Sequence, residues 1–215
     1  MSLMGTLAKV AMGVAVAKGV GKMLGGGRSG GTGGGGLGDL LGGLTGGKSG
    51  SGGGLGGILD SLGGGSSLSK NQDGGSSGGL GDLFNNAIKG KDVSAAADQE
   101  EEAKILLRAM ISAAKADGDI DEEEQQTIIK HLGDVSEEEA RFVRSEINTP
   151  LNIQALINDV PRGMEQQVYL MSLLAINLDS NVEAQYLDQL AKGLNISQQA
   201  SNDIHEQVGA PYLYS

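Results

Sequence analysis

The sequence contains no cysteine, no tryptophan and only three prolines in 215 residues. Without cysteine there can be no disulfide, thiolate zinc site, iron–sulfur cluster or cysteine nucleophile. The two histidines, His131 and His205, each stand alone in a helical pattern. Two isolated histidines therefore do not favour a histidine zinc site or a Ser-His-Asp triad. The compartment stays open, because a chain without cysteine suits the cytosol and the periplasm equally.

Glycine is scarce in one half of the chain and abundant in the other. Of 38 glycines, 33 lie in residues 1–92 and only five in residues 93–215. The first half cannot supply an ordinary hydrophobic core, which excludes one globular domain of 215 residues. Few prolines and no Gly-X-Y period exclude collagen. Residues 93–215 are a comfortable length for one compact domain.

Charge divides at the same boundary. Residues 1–92 carry eight basic and five acidic side chains, whereas residues 93–215 carry eight basic and 22 acidic ones. A domain with a net charge of −14 repels DNA, RNA and anionic lipid. We therefore expect no nucleic-acid partner, and the mildly basic N-terminal half is the part suited to a membrane surface.

Residues 1–24 form an apolar segment rich in small side chains. It contains three lysines, Lys9, Lys18 and Lys22. As one helix it would reach across a bilayer core, but lysines near its centre make insertion costly. We predict a helix that inserts into or lies on a membrane; a cleaved signal peptide and a soluble tail are the alternatives. Small residues recur at multiples of four and predict helix self-association: Gly5, Gly13, Ala17, Gly21 and Gly25.

Residues 25–92 have the composition of a flexible tether, with 29 glycines and nine serines among 68 residues. One short apolar theme occurs three times, at residues 37–41, 55–59 and 80–84. The theme has two interpretations. It is either low-complexity drift in a linker or a set of short elements that dock on a partner or membrane.

Residues 93–215 show helical periodicity with no convincing strand alternation. We predict an all-α domain, a compact bundle of about seven helices. The expected helices are about Asp98–Lys115, about Glu122–Leu132, one after Ser136, one opened by Thr149-Pro150, one opened by Pro161, one carrying Leu187 and one carrying Ile204. The stretch Val168–Leu178 is apolar nearly all round, as a central helix requires.

An acidic stretch between the first two of these helices is the most informative motif. It contains Asp117, Asp119, Asp121 and Glu124, interrupted by Gly118. Capping explains the pattern, because Asp121 and Glu124 have capping-box spacing and Gly118 can take positive φ at a helix end. Cation binding also explains it, because alternate aspartates present hard oxygen ligands to Ca²⁺ or Mg²⁺. An EF-hand is a poor match, since glycine and glutamate are missing at its sixth and twelfth positions.

A similar motif recurs in the sequence 62 residues later. The second turn contains Asp179 and Glu183, but Asn181 replaces the middle aspartate. Ser180 with Glu183 has capping-box spacing, as has Ser136 with Glu139. The two halves therefore look like related helix–turn–helix units, with a weaker ligand set in the second.

The run Ala-Ala-Lys-Ala-Asp-Gly, followed by Asp-Ile-Asp and a glutamate-rich helix start, resembles the tellurite-resistance TerB-like domain. The small-residue N-terminus, Gly-rich tether and acidic helical domain together resemble the YebE-like bacterial inner-membrane family of unknown function. The resemblance implies an all-helical bundle, inner-membrane association and no established catalytic activity. It also implies divalent-metal ligands at Asp117, Asp119, Asp121 and Glu124, with a weaker set at Asp179 and Glu183.

We therefore divide the chain into a membrane anchor (1–24), a flexible linker (25–92) and an acidic helical domain (93–215). The favoured function is a non-enzymatic interaction or stress-related module with an unknown protein partner, located at a bacterial inner membrane. The alternative is a divalent-cation sensor. A hydrolase with paired carboxylates is the least favoured reading, because nothing indicates a nucleophile or substrate pocket. No cofactor is expected besides Ca²⁺ or Mg²⁺.

Overall fold

A computed structural model of the chain describes most of the acidic half and three segments of the glycine-rich half. The described residues are 3–17, 55–62, 79–88, 97–118, 120, 122–132, 135–176, 178 and 180–214. Ten helices lie in these ranges, with no strand among them. The predicted all-α bundle is confirmed for this part of the chain.

Of these described helices, three precede residue 93 and seven follow it. The first three are α1 (Leu3–Ala17), α2 (Leu55–Leu62) and α3 (Leu80–Ile88). The other seven are α4 (Ala97–Ala114), α5 (Glu122–Leu132), α6 (Glu137–Asn148), α7 (Ile153–Asp159), α8 (Glu165–Leu174), α9 (Asn181–Gly193) and α10 (Gln198–Val208). Seven helices after residue 93 is the number that the helical periodicity predicts.

Helix α8 lies at the centre of the bundle, as its all-round apolar sequence predicts. Four successive residues, Val168 to Met171, have no exposed surface. Helix α8 packs extensively against α4 and also contacts α9, α10 and α2. Beyond its first turn the helix is surrounded in this way, and its sequence there is apolar on nearly every side.

Two helix starts differ from the sequence prediction. Thr149 ends α6, because its amide and hydroxyl both donate to the Ser145 carbonyl, at 2.9 and 2.7 Å. Helix α7 begins three residues later than predicted, where Asn152 Oδ1 accepts a hydrogen bond from the Ala155 amide at 2.9 Å. Asparagine is a strong N-cap, and here it outcompetes the Thr-Pro pair.

Pro161 likewise does not open α8. It begins a turn in which the Met164 amide donates to the Pro161 carbonyl at 3.1 Å, and the helix starts at Glu165. Gly163 has φ of +93° in this turn, a conformation that favours glycine. The proline therefore acts as a turn residue.

The helices of the glycine-rich half pack against the acidic bundle. Helix α1 contacts α5, α4 and α3, while α2 contacts α3 and α8. Leu7, Val10 and Val14 of α1 and Leu59 of α2 have no exposed surface. Of the three apolar segments in residues 25–92, residues 55–59 lie in α2, which packs on α8, and residues 80–84 lie in α3, which packs on α1 and α2. The third, residues 37–41, lies outside the described residues.

Candidate functional site

The acidic turn connects the end of α4 to the start of α5. Gly118 has φ of +153°, which confirms the predicted positive φ after the first helix of the domain. Ile120 is buried and anchors the turn, and its carbonyl accepts a hydrogen bond from Gln125 Nε2 at 3.0 Å. Asp117 is exposed at the rim. The turn is therefore held from inside while at least one carboxylate faces solvent.

Most of the predicted ligand set falls outside what the structure describes. Asp119, Asp121 and Asp179 are not among the described residues, and neither is the side chain of Glu124 in α5. Within the described ranges, no three His, Asp or Glu side chains form a group that could hold a metal ion. The cation site at Asp117, Asp119, Asp121 and Glu124 therefore stays a prediction.

Glu183, the second-turn candidate, takes part in a helix cap. Its Oε2 accepts hydrogen bonds from the amide and hydroxyl of Ser180 at 3.1 and 3.0 Å, and the Ser180 hydroxyl accepts one from the Glu183 amide. The Glu183 residue is 4% exposed. The predicted capping box is confirmed, and the ligand role of Glu183 stays a prediction.

The other predicted box, at the start of α6, is also confirmed. Glu139 Oε2 accepts from the Ser136 amide at 2.7 Å, while the Ser136 hydroxyl accepts from the Glu139 amide at 3.2 Å. Each box satisfies two amides that the first turn of a helix leaves free. The Asp121–Glu124 box lies outside the described side chains.

Lys115, beside the acidic turn, binds the far end of α6. The residue is 6% exposed, and its ammonium donates to the carbonyls of Glu146 and Thr149. These carbonyls belong to the C-terminal turn of a helix, where unpaired acceptors and the helix dipole both favour a cation. Lys115 thereby fixes the turn against α6.

A second interaction that the sequence analysis did not identify joins α1 to α4. The Leu3 amide, at the first residue of α1, donates to Glu100 Oε2 at 2.7 Å. A carboxylate at a helix N-terminus satisfies a free amide and opposes the positive end of the dipole. Glu100 thus caps α1 from another helix, across 97 residues of sequence.

We call the surface that receives α1 the α1 groove, formed by α3, α4 and α5. Helix α1 is the most extensive packing partner of α5. On the small-residue ridge predicted for self-association, Gly13 is buried and Gly5 is half-buried. The side chain of Ala17 is outside the described set, as are residues Gly21 and Gly25. The ridge therefore stays a predicted contact.

A buried polar chain links α8 to α10 and the segment after it. The Tyr169 hydroxyl lies 2.7 Å from Ser201 Oγ and 2.9 Å from His205 Nε2. His205 Nδ1 faces the Pro211 carbonyl. A carbonyl can only accept, so the proton sits on Nδ1 and Nε2 accepts from Tyr169. Burial lowers the pKa of His205, and the bond to Pro211 opposes that effect.

The hydrogen-bonded side chains of Tyr169, Ser201 and His205 include a serine and a histidine, but they are buried away from any substrate. Tyr169, Ser201 and His205 have no exposed surface, and the Tyr169 hydroxyl lies between the other two side chains. Burial raises the pKa of Tyr169 to about 12, so its hydroxyl keeps its proton. The arrangement holds residues 209–214 against α10, with help from hydrogen bonds between Asn202 and the backbone of Tyr214.

Within the part of the chain that the structure describes, no helix has both the length and the apolar character needed to cross a bilayer.

The comparison with protein families places the chain in a TerB-like class of helical proteins. The chain belongs to the family described as "Protein of unknown function (DUF533)", whose model matches residues 8–208. The match starts inside α1 and ends with α10, so it includes the glycine-rich segments. A similar protein from Yersinia enterocolitica, "Uncharacterized protein in ampR 5'region", is 29% identical over 112 residues, 51% of this chain and 81% of that protein. No solved structure matches the chain.

Proposed function

We propose that this protein is a non-catalytic interaction module, related to envelope stress and held at the bacterial inner membrane by its N-terminal segment. The observation that carries the proposal is the position of α1, an apolar helix seated on an acidic bundle. Residues 18–54 separate α1 from α2, and 20 of these 37 residues are glycine. The YebE-like resemblance supports the inner-membrane location.

The chemistry of α1 suits a bilayer surface. Its 15 residues contain no acidic side chain and a single basic one, Lys9. Buried in the groove are Leu7, Val10 and Val14, the same apolar residues that a lipid interface would take up. Helix α1 would lie along the membrane surface, and the charge of −14 on residues 93–215 would keep the bundle away from anionic lipid.

The closed Ser201–Tyr169–His205 chain supports the non-catalytic part of the proposal. A nucleophile needs a base within hydrogen-bond reach and a path for substrate. Here the tyrosine separates the two groups, and no member of the chain reaches solvent.

A reversible tether between α1 and the bundle tests the membrane role. Leu3 and Glu100 are replaced by cysteine in the otherwise cysteine-free chain and joined by a short, reducible bis-thiosulfonate linker. We expect the linked protein to stay unbound in flotation with phosphatidylethanolamine–phosphatidylglycerol vesicles. Cleaving the linker with reductant should restore binding, and added salt should increase it by screening repulsion.

The matched control is Leu3→Cys alone, treated with a single-ended thiosulfonate. It should bind vesicles to the same extent with and without reductant. Full-length protein that fails to float in any of these states would overturn the membrane role.

The divalent-cation sensor is the second candidate, and the exposure of Asp117 beside the buried Ile120 favours it. The turn is anchored by Ile120 while Asp117 faces solvent. A cation that binds only the native state raises apparent stability. The protein should therefore melt higher in millimolar Ca²⁺ or Mg²⁺ than with chelator, and Asp119→Ala should abolish the shift. Glu137→Ala, at an exposed position on α6, is the control and should keep it. Equal melting with ion and chelator would refute the sensor.

A further inference from the structure

The α1 groove depends on α1 for its burial. Among the described helices, α5 packs extensively against α1 and only slightly against α6. Ile128, in the middle of α5, is 1% exposed. If α1 left, the apolar side of α5 would be open to water. The groove therefore requires an occupant with the shape and apolar character of α1.

The packing of α1 in the α1 groove has a defined register, but it leaves some buried polar atoms without hydrogen bonds. The Glu100 carboxylate fixes the register by capping the first residue of the helix. Against this, the Thr6 hydroxyl on α1 and Asn85 Oδ1 on α3 are buried with no hydrogen-bond partner. Each buried unpaired polar atom costs about 1–3 kcal/mol. The Thr6 hydroxyl would regain hydrogen bonds to water if α1 left the groove, which lowers the cost of its departure.

We propose that α1 of one copy occupies the α1 groove of a second copy, so that two chains associate by exchanging this helix. The second copy's α1 presents the same atoms as the resident helix, including the Leu3 amide for Glu100. Swapping an identical element makes the same contacts in both arrangements. The groove can therefore bind α1 of the second copy through the contacts that it already makes with its own α1.

Residues 18–54 provide the necessary reach. This stretch contains 37 residues, and a chain of that length reaches at most about 120 Å when fully extended. Such a length also lowers the concentration at which α1 meets its own groove, since that concentration falls steeply with linker length. Binding of α1 to the groove of another copy then competes with binding to its own groove wherever the local protein concentration is high, as on a membrane.

The inference shares the seat of α1 with the proposed function but does not depend on lipid. It therefore needs its own test in solution. Two full-length variants, Leu3→Cys and Glu100→Cys, carry different tags and are mixed with the reducible linker. We expect a mixed dimer whose yield rises about tenfold as protein increases from about 10 to about 100 μM.

Gln199→Cys is the control for random collision, because Gln199 is exposed on α10. A Leu3→Cys/Gln199→Cys mixture should give far less mixed dimer than the Leu3→Cys/Glu100→Cys mixture. Equal yields from the two mixtures at every concentration would overturn the exchange.

The double variant Leu3→Cys/Glu100→Cys completes the design. If it closes within one chain while the mixture gives no specific dimer, α1 stays in its own groove and only the exchange is refuted. If it does not close at all, the seat of α1 is refuted, and both proposals lose their basis.

Discussion

At the scale of single residues, His205 is a buried titratable group whose protonation makes the stability of the fold depend on pH. Its neutral ring accepts a hydrogen bond from Tyr169 and donates one to Pro211. The other titratable groups around it are Tyr169, Tyr214 and Asp188; Tyr214 donates to Asp188 at 2.9 Å. Burial and the contact with Asp188 raise the pKa of Tyr214, so neither tyrosine ionises near neutrality.

We predict that the protein loses stability as pH falls below about 6.5. The folded state lowers the pKa of His205, so the unfolded chain binds the proton first. The stability that neutral His205 contributes is therefore complete above the unfolded pKa of about 6.5 and is lost towards the lower folded value. The loss is at most about 1.4 kcal/mol per pH unit. Urea denaturation at intervals from pH 7.5 to 5 measures it.

His205→Gln is the matched variant, because it keeps polar atoms at the position without a titrating group. Its unfolding free energy should be lower at pH 7.5 but flatter across the same range. A slope equal to that of the unchanged protein would assign the pH dependence to the carboxylates instead.

Local spacing determines which of these residue-level features the sequence reveals. The Ser136–Glu139 and Ser180–Glu183 boxes join residues three apart, so pattern alone predicts them. Lys115 and Glu100 bind groups 31 to 97 residues away, and their role follows only from how the helices pack. For the cation site, sequence names the carboxylates, but their mutual distances depend on the turn conformation.

At the scale of elements, the apolar periodicity predicts how many helices form and which face of each is buried. The residue at which a helix begins depends instead on which of several nearby residues caps it. The apolar period predicts α5 to the residue, Glu122–Leu132. The starts of α7 and α8 differ because Asn152 outcompetes Thr149 and because Pro161 is taken up by a turn. Such choices depend on differences of about 1 kcal/mol, which a sequence pattern does not resolve.

Helices α7 and α9 approach closely at Gly193, which gives an element-scale prediction. A Cβ at this position would lie 2.2 Å from Ile157 Cδ1. Gly193→Ala should therefore destabilise the protein by about 1 kcal/mol, because overpacking outweighs the helix propensity gained. Urea denaturation of the variant measures the change.

The double variant Gly193→Ala/Ile157→Val provides the control. Valine lacks the Cδ1 atom that the new methyl group would meet, so the two changes together should cost less than the sum of each alone. Strict additivity would show that the two helices do not interact through this contact.

At the scale of the whole molecule, composition and packing divide the chain differently. Glycine content and charge separate residues 1–92 from residues 93–215. Packing instead unites α1, α2 and α3 with the acidic bundle. The sequence predicts the apolar segments but not what they pack against, because an apolar helix fits a membrane and a protein groove equally well.

Deleting residues 1–17 should therefore destabilise the acidic bundle. Leu7, Val10 and Val14 lose their burial, and the apolar side of α5 becomes exposed. Burying one such side chain contributes about 1.5–3 kcal/mol, so we expect the unfolding free energy to fall by at least about 2 kcal/mol. Binding of a hydrophobic dye should increase. An unfolding free energy and a dye signal that stay unchanged after the deletion would contradict the packing of α1.

The order in which the chain is synthesised gives the seat of α1 a temporal consequence. The ribosome makes α1 before α5, and 115 residues separate Ala17 from Leu132. At about 5–20 residues per second, α1 waits roughly 6 to 23 seconds for the helix that will cover it. During every round of translation, a nascent apolar helix is therefore free to meet a membrane or a chaperone before its own groove exists.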